Sequence, residues 1–148
     1  MRTDVSGTDR IGNGIVAGFI ATLVVAGLHE AVSLLTESVG MPTPALGWLF
    51  HFFVGTLLWG GTFGFAHDYL AGPSWLRGVT FAVGAALLVM LVVMPLSGAG
   101  LFGVDLGGVA VPLVVALIHI VYGATLGLIY GKLVDTDEAR EHDLHVRH

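Results

Sequence analysis

The chain contains no cysteine, which removes disulfides, iron–sulfur clusters and thiolate metal sites in one step. Charge is scarce as well. Asp, Glu, Lys and Arg together make up 11% of the residues, against 55% hydrophobic ones. Lysine occurs once, at Lys132, and the other basic residues are scattered arginines. No basic patch forms, so nothing points to nucleic acid as a partner. Gly98, Gly100 and Gly103 form no phosphate loop, since no basic residue accompanies them and no strand precedes them. Ser-His-Asp and metallohydrolase motifs are also missing, and an independent soluble-type enzyme is not expected.

What the chain does have is long apolar runs. Four are visible within its 148 residues, at Gly12–Leu35, Ala45–Ala66, Trp75–Leu96 and Gly107–Leu133. Each is near or above the ~20 residues needed to cross a bilayer core at about 1.5 Å per residue. Backbone groups in lipid have to be paired within the segment, so each run is read as a helix. The expected architecture is an all-α integral membrane four-helix bundle, with residues 1–133 as the membrane domain and 134–148 as an acidic cytoplasmic tail. The first run is too long for a signal-peptide core and follows Asp4 and Asp9, so it is expected to stay in the mature protein. The formal charge of −5 comes mostly from the tail "VDTDEAREHDLHVRH", and an acidic, lysine-poor chain is compatible with a salt-loving source.

The basic residues set an expected orientation. Arg2 and Arg10 precede the first span, Arg77 opens the third, and Lys132, Arg140 and Arg147 lie at or beyond the end of the fourth. All fall on one side of a pair of hairpins, so the positive-inside rule puts both termini in the cytoplasm. A weak two-fold repeat is visible too. The second and fourth spans both carry His-x-x-x-Gly, as His51–Gly55 and His119–Gly123, which a duplicated helical hairpin would produce. Gly14, Gly18, Thr22, Ala26, His29 and Ser33 share one stripe of the first span, a surface that allows close helix approach. In the fourth span His119, Tyr122, Gly123, Leu126, Gly127, Tyr130 and Gly131 share a face. The third span is featureless apart from Gly84 and is expected to see the most lipid.

Three histidines sit inside these runs. His29 lies 19 residues beyond Arg10, His51 lies 17 before Asp68, and His119 lies 13 before Lys132. At the helical rise their depths differ by about 9 Å at most, all in the outer half. Ionisable groups there are costly and face a bundle interior or a cavity. One reading is a b-type haem held by His51 and His119, with Gly55 and Gly123 leaving room for a flat macrocycle and Tyr122 beside it. Another is a metal site built from His29 and Glu30 with the other histidines. A third is a proton or quinol-type site using Glu30. The plain alternative is that each histidine donates to a neighbouring carbonyl or hydroxyl and does nothing else. His67 and Asp68 are read as an interfacial pair, and His142, His145 and His148 as part of a solvated tail.

The segments "ALGWLFHFFVG", "WLRGVTF", "MPLSGAGLFG" and "HIVYGATLGLIYG" together resemble a family of small four-span membrane proteins of unknown function, common in haloarchaea and some bacteria. The resemblance runs from Gly14 to Gly131. It implies the four-helix fold and a His-x-x-Tyr-Gly in the last span, here His119, Tyr122 and Gly123. It carries no activity with it, only an association with respiratory membrane complexes. The expected function is therefore a small membrane subunit of an electron-transfer complex, with lipid and other membrane subunits or a second copy as partners. The alternatives are a small oligomeric transporter or channel with a His/Glu-lined cavity, and a purely structural assembly subunit.

Overall fold

The computed structural model describes the backbone of residues 7–36 and 45–146, and the side chains of 7–28 and 49–140. His29, Glu30, Trp48, His142, His145 and His148 lie outside the described side chains. Four long helices account for nearly all of the described chain, and no strand occurs among the described residues. Helix α1 runs over Gly7–Thr36. Helix α2 is continuous through Ala45–Phe53, Val54–Gly60 and Gly61–Ala66, and ends in a tighter turn at His67–Tyr69. Helix α3 spans Ser74–Leu96, and α4 spans Ala110–Val146. All four are long and apolar enough to cross a membrane.

Helix α4 is longer than expected. At about 1.5 Å per residue its 37 residues extend ~55 Å, well beyond a ~30 Å hydrocarbon core. The acidic segment after Lys132 thus continues the helix instead of leaving it. Asn13 of α1 donates to Asp137 over 2.8 Å, which ties the first turns of that extension to the bundle.

Two stretches depart from regular α geometry. Val89–Val93 widens to i→i+5 pairing just before Pro95, which lacks an N–H and whose ring crowds the carbonyl four residues back. Val54–Gly60 widens likewise, between glycines that put little side-chain bulk on the turn.

The helices form two hairpins held together by missing side chains. A Cβ at Gly18 would stand 2.8 Å from both the Gly55 carbonyl oxygen and the Gly60 Cα, and one at Gly14 would stand 2.9 Å from the Gly64 Cα. In the second hairpin a Cβ at Gly78 would lie 2.9 Å from the Gly127 Cα, and one at Gly123 would meet the Ala82 Cβ at 2.6 Å. Backbones this close gain dispersion contacts that lipid cannot match, which is the main source of helix association in membranes. The stripe Gly14, Gly18, Thr22 predicted on α1 is the one that packs.

The contact pattern of one hairpin repeats in the other. Gly14 stands where Gly78 stands, Gly18 where Ala82 does, Gly60 where Gly123 does, and Gly64 where Gly127 does. This register differs from the one suggested by His-x-x-x-Gly. It pairs His119 with Thr56, Leu126 with Phe63, and Tyr130 with His67, and leaves His51 without a histidine counterpart.

Around the bundle, α1 lies against both α2 and α4, and α3 against α4. Aromatic side chains fill the wider gap between α2 and the second hairpin. Phe63 meets Phe81 at 5.4 Å and Tyr130 at 5.2 Å, and Trp59 meets Phe81 edge-on at 6.0 Å. Ala17, Ala21, Phe63, Ala82 and Leu126 are fully buried at the centre. Helix α3 is less lipid-facing than expected, because Gly78, Ala82, Ala85, Ala86 and Met90 are buried. A smaller share of α2's apolar stretch is buried than of α3's, 17% against 22%. Alanines supplied the packing face that a search for glycine alone passed over.

Candidate functional site

Among the described residues, every buried side chain of α1, α2 and α4 lies between one level of the bundle and the arginine-bearing end. That level is set by Thr22, Gly55 and Tyr122. Tyr122 donates its hydroxyl hydrogen to the Gly55 carbonyl over 2.5 Å, and Thr22 fills the space beside Gly55 while donating to its own Gly18 carbonyl at 2.8 Å. Beyond it, toward the other end, α4 has no buried residue from Ala110 to Val121, and none is buried in Leu49–Phe53 of α2. Along the described parts of α2 and α4 the bundle is closed in one half and open in the other, while α3 keeps Met90 buried in that outer half.

His51 and His119 stand just past the closing level, on helices that run parallel. The Tyr122–Gly55 bond and a second one from Tyr130 to the Gly64 carbonyl, at 3.3 Å, hold α2 and α4 in a register in which both imidazoles lie beyond that level. His119 lies within electrostatic reach of His51. Its Nδ1–H donates to the Val115 carbonyl at 2.8 Å, which fixes the ring and leaves Nε2 as the free lone pair of the neutral tautomer. His51 is exposed and His119 half-buried.

The glycines do not line a slot for a flat ligand. Thr22 occupies the recess at Gly55, and Gly78 and Ala82 occupy the one at Gly123. Both serve helix packing, and Tyr122 spans the gap between α2 and α4 where a macrocycle resting on them would stand. A haem on His51 and His119 therefore has only the open half to occupy. For a metal, no group of three His, Asp or Glu side chains exists among the described residues.

A second polar centre lies at the arginine end, where only an interfacial pair was expected. His67 is buried, 7% exposed, with its ring 4.5 Å from that of Tyr130 and edge-on to Phe63 at 5.5 Å. Its Nε2 lies 3.2 Å from the Ser74 hydroxyl. Its Nδ1 lies 3.0 Å from an Asp68 carboxylate oxygen and 3.2 Å from an Arg77 guanidinium nitrogen. Arg77 also donates to the Gly72 carbonyl at 2.7 Å, Arg10 of α1 forms an ion pair with Asp68, and Arg77 reaches Asp68 at 3.8 Å. All four helices contribute. Ser74, Arg77 and Tyr130 were not singled out from the sequence as partners of His67. The repeat in its correct register gives His67 and Tyr130 equivalent places in the two hairpins, and no comparable signal marks Ser74 or Arg77.

A family model for a family of unknown function, DUF6789, matches residues 8–141. The chain belongs to that family. DUF6789 thus covers all four helices, including α4 past the membrane and the Asn13–Asp137 tie. No curated protein and no solved structure matches the chain.

Proposed function

We propose that this protein is a small integral membrane subunit that docks into a larger assembly through the open half of its bundle. The observation that carries the reading is the end of burial on the described parts of α2 and α4 at Gly55 and Tyr122, with His51 and His119 just beyond it. Imidazoles in a lipid-exposed half-bundle are costly, and a partner helix or ligand that covers them removes that cost. The closed half supports this reading over a pore along the axis of a single chain. Phe63 and Leu126 are fully buried between Tyr122 and Tyr130, and they separate the two polar centres with a dry layer. The arginines at one end support a plasma-membrane orientation with both termini cytoplasmic.

An electron-transfer complex is the assembly whose chemistry would use the histidines. One feature favours a haem version of the reading: His119 has its Nδ1–H committed to a backbone carbonyl, the arrangement that orients a ligating imidazole. His51 and His119 would hold the haem, which would supply a one-electron carrier. Gly55, Gly123 and Tyr122 would then close the floor of the site and not line the macrocycle.

The test is purification from native membranes under mild detergent, with co-purifying subunits and a reduced-minus-oxidised spectrum recorded together. Stoichiometric partner subunits that are lost in His119→Leu or His51→Leu support docking through the open half. A b-type spectrum lost in the same variants supports the haem version. A colourless protein that purifies alone, unaffected by either substitution, overturns both.

A further inference from the structure

The His67 centre lies a full closed half-bundle away from the docking region and needs an account of its own. Its geometry contains a conflict. Nδ1 of His67 has an acceptor, the Asp68 carboxylate, at 3.0 Å and a donor, the Arg77 guanidinium, at 3.2 Å. A bare Nδ1 accepts from Arg77 and leaves Nε2–H to donate to the Ser74 hydroxyl. A protonated Nδ1 donates to Asp68 and turns a positive hydrogen toward Arg77. One nitrogen cannot serve both neighbours at once.

We propose that His67 is a proton-operated latch on the connection between the two hairpins, exchanging Arg77 for Asp68 when its ring gains a proton. The groups that face it come from every helix: Arg10 from α1, Asp68 from the turn after α2, Ser74 and Arg77 from α3, and Tyr130 from α4. In the unprotonated state Arg77 is held at three points: His67 Nδ1, the His67 carbonyl at 3.3 Å and the Gly72 carbonyl. These bonds bind the start of α3 to the end of α2. In the protonated state the imidazolium and two guanidiniums share the single, half-exposed carboxylate of Asp68, and Arg77 is the member with somewhere to go. Its side chain already stands at the rim, 26% exposed. Its departure frees the 67–77 connection while Phe63 and Leu126 keep the bundle closed above it.

The experiment uses the full chain in detergent micelles with 15N-labelled histidine, titrated from about pH 8 to about pH 3, far enough below the ordinary imidazole range to protonate a buried ring beside two guanidiniums. His67→Phe keeps the ring contacts to Phe63 and Tyr130 and identifies the His67 signals by their disappearance. At the upper end the His67 Nδ1 signal is expected to be that of an unprotonated nitrogen, with the hydrogen on Nε2. On acidification Nδ1 gains a proton. Amide exchange over residues 67–77, corrected for intrinsic rates, then rises at least about tenfold relative to residues 117–130, the lower bound for losing a hydrogen bond to a charged group. In His67→Phe that rise is absent. A proton on Nδ1 throughout the titration overturns the latch, as does a rise in exchange of equal size in the native chain and His67→Phe. Should that variant fail to fold, a chain in which the other six histidines are replaced by glutamine identifies the His67 signals, and the protonation state of Nδ1 decides the matter.

Discussion

Tyr122 of α4 donates a hydrogen bond to the backbone carbonyl of Gly55 in α2 over 2.5 Å, and among the described residues no side chain of α1, α2 or α4 is buried beyond that bond toward the histidines. It is both a structural tie and the floor of the region where a partner or ligand would sit. A phenol that reaches a carbonyl already engaged in its own helix needs an accessible second lone pair. The absence of a side chain at Gly55, together with the widened turn that contains it, makes that approach sterically open.

Tyr122→Phe keeps the ring and removes the donor. The expected loss is about 0.6–2 kcal/mol, the range for hydrogen bonds between membrane helices. Denaturant or thermal titration of the purified protein in detergent measures it. Tyr130→Phe is expected to cost less, because its bond to the Gly64 carbonyl is longer, 3.3 Å. Equal or reversed costs would show that bond length is a poor guide to energy here.

Glycine substitutions should divide into two groups. A side chain at Gly14 or Gly78 meets backbone of the partner helix, so Gly14→Leu and Gly78→Leu are expected to separate the hairpins and cost more than about 3 kcal/mol, or prevent folding. Gly84 has nothing within 4 Å of a Cβ, and Gly84→Ala should leave stability unchanged or raise it by up to about 1 kcal/mol through helix propensity. Detergent-resistant folding on a gel or by circular dichroism separates the groups. An intolerant Gly84 would point to a partner packed on that face.

Thr56 offers a test in the opposite direction. Its hydroxyl oxygen is buried with no hydrogen-bond partner, whereas Thr22, Thr125 and Thr136 each donate to a carbonyl four residues back. Thr56→Val removes an unsatisfied group at nearly constant volume and is expected to stabilise by up to about 1 kcal/mol. Destabilisation would mean that the hydroxyl has a partner in the working assembly.

Asn13→Leu removes the donor that holds Asp137 and with it the tie between α1 and the extension of α4. Limited proteolysis after Lys132 should become several-fold faster, while the membrane core stays intact. That change in accessibility follows from losing a bond worth about 1.5–3 kcal/mol, the range for hydrogen bonds to charged groups. Unchanged cleavage would show that helix propensity alone keeps the extension ordered.

The sequence by itself determined that there are four membrane-competent helices. Length, apolarity and the obligation to pair backbone groups in lipid leave no other solution for such runs. It also determined the packing stripe on α1 and the face of α4 that carries Tyr122, Gly123, Leu126, Gly127 and Tyr130, because small residues at helical spacing mark close approach. It did not determine which glycine serves which neighbour. Gly55 and Gly123 looked like clearance for a ligand, yet Thr22, Gly78 and Ala82 fill them. It did not reveal the repeat register, since the His-x-x-x-Gly coincidence outweighed a pattern spread over single glycines and one alanine. Nor did it make His67 anything more than an interfacial residue. Tertiary structure decided these points for one physical reason. A one-dimensional periodicity fixes the angle of a side chain about its own helix, but the partner at that angle depends on how helices distant in sequence are set against one another. Only the fold sets Tyr130, Ser74 and Arg77 around His67, and Thr22 against Gly55.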